Sequence, residues 1–399
     1  MLSFLRDNIR WLGAGFAMLF ASSFGQTFFI SLSGGEIRRE LDLSDGQFGL
    51  VYMAVTLASA FSLVWLGKIL DVKAVRSIVA LAVLALASGA IGLAYSSSIV
   101  VLAVSLFLLR LFGQGMMVHI AYTTIGRWFS AERGRAVSIS ALGVNAGQAL
   151  LPLLAVAGMA AFGWRNLWVI VAAFIILILF PVLLALLKVE RVTAPVPVLP
   201  TAQVSRNWMR GEVLRDPYFY LLMLGMLPPA FISNTIFFHQ VHLSQSKGWP
   251  LETFASAFLI YAVVAVSNSL LSGYLVDRFS ALRLLPFYLL PFGVGCLLLG
   301  AVDAPWVVFV FMVLYGISDG FSLTLFGSLW PEVYGVKYLG AIRAVIVATM
   351  VFASALGPGL GGMLIDSGVA FTSQIMVMGV YCVLICAVLL SLTRHIRMR

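Results

Sequence analysis

The stretch 99–129, IVVLAVSLFLLRLFGQGMMVHIAYTTIGRWF, carries one charged residue before its last turn, Arg110, about eleven residues in. A helix needs about 20 apolar residues to cross the hydrocarbon core of a bilayer, and this run exceeds that length. At a rise of about 1.5 Å per residue, Arg110 falls near mid-depth. An isolated arginine there costs roughly 2.5–3.5 kcal/mol on insertion scales, so the stretch requires a water-filled cavity or a partner for the guanidinium.

Working outward, the rest of the chain repeats this pattern. Twelve segments are long and apolar enough to span: 11–35, 47–67, 77–95, 99–129, 136–162, 167–187, 217–244, 251–275, 284–302, 305–330, 341–365 and 372–393. Of 399 residues 61% are hydrophobic and 10% charged, against roughly a quarter charged in soluble domains. No stretch is polar enough to build a soluble surface over that apolar excess, and a polytopic, all-α membrane protein follows. Arg6 and Arg10 before the first run, with FASS (20–23) after it, imitate a secretory signal. Because so many similar runs follow, the segment reads as the first span.

The net charge of +9 raises the question of a nucleic-acid partner, and the placement of the basic residues answers it. With the N-terminus inside, 20 of the 25 Lys and Arg fall on inner loops and termini, and the outer loops hold only Arg38, Arg39, Arg165 and Lys247. That distribution is an insertion signal with both termini cytoplasmic, not a phosphate-binding face. No nucleic-acid partner is expected. Cys296, Cys382 and Cys386 read as buried thiols packing as small hydrophobes.

One longer, polar connection divides the chain into a six-helix bundle at 1–187, a cytoplasmic linker at 188–216 and a second bundle at 217–399. The halves share landmarks. GKILD (67–71) closes the second span and GYLVD (273–277) the eighth, 206 residues apart; Gln114-Gly115 and Asp319-Gly320 are offset by 205. Parallel repeats joined by a polar bridge are a transporter architecture.

These residues also carry a family resemblance. Gly67 and Asp71 with Arg76 following, and Gly273 and Asp277 with Arg278 and Arg283, resemble the loop signature of the major facilitator superfamily. RLFGQG (110–115) is similar to its span-four arginine motif, and GPGLGG (357–362) to its glycine-proline motif, here in span eleven. Val72 and Ala74 depart from the usual signature, which thins its charge network. SFGQTFF (23–29), GRWFSAERGRA (126–136) and GWR (163–165) resemble the monocarboxylate porter and oxalate/formate exchanger branch.

The resemblance implies twelve helices in two pseudo-symmetric six-helix bundles, with Gly67 and Gly273 allowing close helix approach. It also implies a cytoplasmic latch in which Asp71 and Asp277 meet helix N-termini and Arg76, Arg135 or Arg278. Glycines and prolines in spans five (Gly143, Gly147, Pro152) and eleven are expected to bend the helices or let them pack closely. Spans one, four, seven and ten would bring Gln26, Arg110, Gln114, Asn234, Tyr315 and Asp319 to one site, walled by Phe29 and Phe238.

On an ideal helix at about 100° per residue, Gln114 lies near the Arg110 face and His119 opposite it, which makes His119 an interhelical packing residue. Pro228-Pro229 should kink span seven, with His239 and His242 toward the outside. Arg110 offers a fork of donors that fits a carboxylate and a charge that is not titrated away. Asp319, the acid at matching depth, is expected to carry the proton. The alternative is that the two charges hold the halves together.

The expected function is secondary transport of a small organic anion, a monocarboxylate first, across a prokaryotic cytoplasmic membrane, coupled to protons or a counter-substrate, by a monomer in the lipid bilayer. A proton-coupled efflux pump for amphiphilic drugs or cations is the alternative, and a receptor or structural role would leave the mid-depth charges without a task. No P-loop, metal-ligand spacing or nucleophile motif occurs, so no enzyme, cofactor or metal is expected.

Overall fold

The computed structural model describes residues 2–129, 132–189, 191, 208–335 and 337–397, and every regular element among them is helical. Among the described residues ten helices are long and apolar enough to cross a membrane, and Phe4–Gly25 with Thr27–Glu40 meets the same length and composition together as a pair bent by 48°. The remaining expected segment, 284–302, has its main helix over Leu290–Ala301, because residues 285–289, which contain Pro286 and lead into Pro291, form turns. Each proline lacks the N–H that a continuous helix would use.

The chain forms two compact units, Met1–Leu199 and Pro200–Arg399. Of the expected linker, residues 190 and 192–207 lie outside the described residues. Its last part belongs to the second unit: Trp208 N donates to Tyr334 O at 3.1 Å, and the Tyr334 hydroxyl donates to Asp216 at 3.1 Å.

In the first unit the bent span one (α1, Phe4–Gly25 with Thr27–Glu40) is followed by α2 (Asp45–Leu66), α3 (Val75–Ala94), α4 (Ile99–Trp128), α5 (Arg133–Phe162) and α6 (Trp164–Leu186). A capping box starts α2: the Ser44 side chain accepts from Gln47 N at 3.1 Å and Gln47 accepts from Ser44 N at 3.0 Å. In the second unit α7 (Pro217–Phe238) precedes α8 (Leu251–Phe279), α9 (Leu290–Ala301), α10 (Val307–Tyr334), α11 (Leu339–Asp366) and α12 (Phe371–Arg397). At Pro228-Pro229 the helix is interrupted at one residue, Leu227, which keeps helical dihedrals (φ −74°, ψ −31°), and helix resumes at Pro228.

Both units lock two helices together with paired glycines four residues apart. A methyl group on Gly143 would overlap Phe16 O of span one, and one on Gly147 would overlap the Ser23 hydroxyl. In the second unit a methyl on Gly357 would overlap Thr235, and one on Gly361 would lie 2.9 Å from Thr235 Cγ2. The glycine-proline motif therefore works here by close packing, and α11 runs on through Pro358 without interruption.

The basic residues on loops assigned to the outside each meet a counter-charge or a helix end. Arg38 pairs with Asp45 at 2.5 Å, and Arg39 pairs with Glu36. Arg165 binds Glu40 and donates to Ala94 O (2.6 Å) and Ser96 O (2.9 Å) at the end of α3. Lys247 donates to Leu299 O (2.9 Å), Gly300 O (3.2 Å) and Val302 O (2.6 Å), which caps α9. Cations at helix C-termini complement the orphan carbonyls there.

Candidate functional site

Arg110 is 5% exposed and lies in a π-helical stretch, Leu109–Met117, inside α4. Such stretches are wider than α-helix and recur at functional sites. Opposite it, span one comes apart. Ser23–Gly25 form a 3₁₀ turn, Gln26 is extended (φ −86°, ψ 152°), and helix resumes at Thr27. The local run S-S-F-G-Q-T is poor in strong helix formers, with hydroxyls that compete for the backbone.

The two irregular segments meet backbone to backbone. A methyl on Gly25 would overlap Leu109 O and come within 2.8 Å of Gln114 N and Gly113 Cα; one on Gly113 would lie 2.7 Å from Gly25 Cα. The broken helix turns the Gly25 carbonyl to Arg110, whose Nη1 donates to it at 3.3 Å and to Thr27 Oγ1 at 3.4 Å. The guanidinium also lies 5.2 Å from the centroid of the Tyr52 ring, and the Tyr52 hydroxyl donates to Thr27 Oγ1 at 3.0 Å.

Three buried polar atoms of these segments have no partner: Arg110 Nε, Gln114 Oε1 and Ser23 Oγ. Leaving buried donors and acceptors unmade is costly, so these three atoms stand out against the general satisfaction of buried polar groups. Gln26 is half-buried in the extended residue. Phe29 instead packs in the core of the unit, edge-on to Phe24 (5.4 Å) and Trp168 (5.3 Å).

In the second unit Asp319 lies on α10. Tyr261 of α8 donates to its Oδ2 at 2.8 Å and Tyr315 to Oδ1 at 3.5 Å. The two phenol rings stack at 4.9 Å and 13°, and Phe237, Phe292 and Phe311 pack around Tyr315. Among the described residues, both hydrogen-bond partners of the carboxylate are neutral phenols. Asn234 donates to Ala230 O of its own helix at 2.8 Å, and Phe238 is buried edge-on to His239.

His119 is interhelical, as its position on α4 suggests: its Nε2 is 3.3 Å from Gly67 O. His239 differs from expectation. It is 2% exposed, and its Nε2 lies 3.0 Å from Pro358 O, so it bridges α7 and α11 instead of lining a vestibule. His242 is half-buried, its ring 6.1 Å from Phe371.

At the loop signatures the residues are arranged as follows. Gly67 begins a 3₁₀ turn, Gly67–Asp71, and Arg127 donates to Leu70 O at 3.1 Å. The Asp71 side chain lies outside the described residues, Arg76 is exposed, and Arg135 pairs with Glu132 at 3.4 Å. Gly273 has open space around it, so it mediates no close approach like that of Gly67 to His119. Asp277 is exposed, and Arg278 donates to the Tyr274 hydroxyl at 3.3 Å. The brace on this second loop comes from Glu332, which accepts from Ala281 N at 3.0 Å. Tyr52, Tyr261 and Glu332 lie in no sequence motif that marks them, and Thr27 and Arg127 lie within SFGQTFF and GRWFSAERGRA without a role being legible there; only their neighbours in space reveal what they do.

Comparison with known proteins adds a consistent set of relatives. The profile of the Major Facilitator Superfamily matches residues 15–271 and 230–397. The chain is 23% identical to the phosphoglycerate transporter protein of Salmonella typhimurium over 89% of this chain and 83% of that one. It is 28% identical to human monocarboxylate transporter 11 over 72% of this chain and 62% of that one. Among solved structures, a POT family transporter in complex with 5-aminolevulinic acid aligns with a TM-score of 0.74 at 16% identity, covering 96% of each chain. A bacterial homologue of the human lysosomal transporter Spinster, inward-facing and occupied, aligns at 0.70 and 17%, covering 98% of this chain and 97% of that one.

Proposed function

From membership of the Major Facilitator Superfamily, to which this chain belongs, we propose that it moves a small organic anion, most simply a monocarboxylate, across a prokaryotic cytoplasmic membrane. Transport proceeds by alternating access and is driven by protons or a counter-substrate. The observation that carries this reading is Arg110: a buried guanidinium held along one edge by neutral groups, with its Nε unpartnered and, one turn on in the same π-helical stretch, the Oε1 of Gln114 also unpartnered. A carboxylate supplies two acceptor oxygens in the geometry of that fork. Gln114 and Gln26 then contact the rest of the molecule. A single deep basic residue suits one carboxylate better than two.

Asn234, Phe238 and Tyr315 are proposed as shaping residues and Asp319 as the proton-carrying group. The loops at Gly67, Asp71, Arg76 and Arg135 and at Gly273, Asp277 and Arg278 are proposed as the gates. Both termini are read as cytoplasmic from the charge count, and the monomer as the working unit. No metal or cofactor enters the reading. Human monocarboxylate transporter 11 and the Salmonella phosphoglycerate transporter, both named for anionic cargo, support it.

A second reading, efflux of amphiphilic cations, draws on Asp319 among aromatic rings, a setting that also attracts organic cations. Thermal unfolding of purified protein separates the two, because a ligand that binds the folded state raises apparent stability. The panel is acetate, lactate, pyruvate, oxalate, phosphoglycerate and tetraphenylphosphonium, with wild type beside Arg110→Gln. Stabilisation of wild type alone by a monocarboxylate supports the anion reading. Stabilisation of both proteins by the cation alone overturns it in favour of efflux.

A further inference from the structure

The anion reading leaves the second helix without a part in the site. Its deep portion bears no charge, yet it supplies Tyr52, which is 1% exposed and lies against the guanidinium. The hydroxyl of Tyr52 is spent on Thr27 Oγ1, so it is not offered to a guest. Thr27 Oγ1 in turn accepts from Arg110 Nη1. The ring holds one face of the guanidinium, and Thr27 with Gly25 O holds its Nη1 edge. The Nε edge remains.

We propose that Tyr52 and Thr27 are positioning residues for Arg110, fixing the rotamer that turns the Nε edge of the guanidinium to the substrate anion. Span two thereby sets affinity without touching the cargo. The inference rests on the anion reading above. Its physical content is preorganisation: a long, rotamer-rich side chain that is already immobilised loses less freedom when the anion arrives. A cation over an aromatic face in a desolvated setting adds further hold.

The test is uptake into liposomes of whichever of acetate, lactate and pyruvate most stabilises the wild type. Tyr52→Leu, which removes ring and hydroxyl, is expected to raise KM about 10-fold or more, by more than the maximal rate changes. Thr27→Val, which keeps the shape and removes the acceptor shared by Arg110 and Tyr52, should raise KM about fivefold, in line with the loss of the one hydrogen bond it makes to Arg110. Tyr52→Phe, which keeps the ring, should recover most of what Tyr52→Leu loses.

Wild-type KM in both Thr27→Val and Tyr52→Phe, together with wild-type KM in Tyr52→Leu or failure of that variant to fold, overturns the proposal. A fall in maximal rate at unchanged KM also overturns it, since that is the mark of a merely structural role. Arg110→Gln in the same assay separates the two levels. Uptake that survives Arg110→Gln removes the anion reading itself; uptake lost there but unaltered in the Tyr52 and Thr27 variants removes only the positioning.

Discussion

Arg110 and Asp319 sit on α4 and α10, corresponding spans of the two units, and the backbone treats them differently. Around Arg110 the first span is broken and α4 is π-helical over nine residues. Around Asp319, α10 runs unbroken over Val307–Tyr334 and α8 over Leu251–Phe279. The contrast follows from what each charge requires. A guanidinium needs acceptors, and in an apolar bundle most acceptors are carbonyls already committed to the helix, so one must be freed by a break. A carboxylate needs donors, and a phenol provides one from an intact helix. In these units a deep cation costs helix continuity and a deep anion does not.

The largest expected effect that sharpens this comparison is Arg110→Gln, which should reduce carboxylate uptake on the order of 100-fold or more, as expected for losing two charge-assisted hydrogen bonds. Folding should persist, judged by an unchanged size-exclusion profile and a melting temperature within a few degrees. Uptake at wild-type level would break the assignment of the first unit to the anion.

Next is Asp319→Asn. It should abolish accumulation driven by a pH gradient, while exchange counterflow of the same substrate stays within about threefold of wild type, because an isosteric amide keeps the shape but carries no titrating proton. Accumulation against a gradient in this variant would assign the proton to another group.

A smaller and purely structural contrast lies in the glycines. Gly143→Val and Gly357→Val should each destabilise by about 1–3 kcal/mol through overpacking against spans one and seven. By contrast Gly273→Ala, with open space around it, should be neutral or stabilise by up to about 1 kcal/mol from helix propensity. Thermal unfolding in detergent reads all three, and an equal loss in all of them would contradict the packing described here.

A comparably small change is expected for Lys247→Met, which uncaps α9 with an unbranched apolar side chain of nearly the same length. A loss of about 1 kcal/mol is expected from the helix-end charge and its hydrogen bonds. An unaltered melting temperature would show that Lys247 contributes nothing to the second unit.

Much of the fold was legible in the residue order. Run length located the spans to within a turn or two, since crossing hydrocarbon fixes a minimum apolar length. The glycine pairs that pack α5 and α11 against spans one and seven were likewise visible. The short ninth helix was less so, because an apolar run does not say where prolines will turn it. Phe29, named as a wall, packs in the core beside Trp168, and His239, read as a vestibule residue, is buried against Pro358. Which face of an irregular helix points inward is not encoded in an ideal 3.6-residue period.

The sequence by itself determined that this chain is an all-helical membrane protein with a duplicated plan, a cation in one half and an acid in the other, because apolar length and charge placement act locally along the chain. Only the tertiary structure decided what those charges meet. The Gly25 carbonyl, Thr27 and Tyr52 reach Arg110 from spans one and two, and Tyr261 reaches Asp319 from span eight. Those partners are 58 to 85 residues away from the charges they serve. Their meeting depends on where one helix breaks and how closely glycines let others approach, which are properties of packed helices rather than of any one segment.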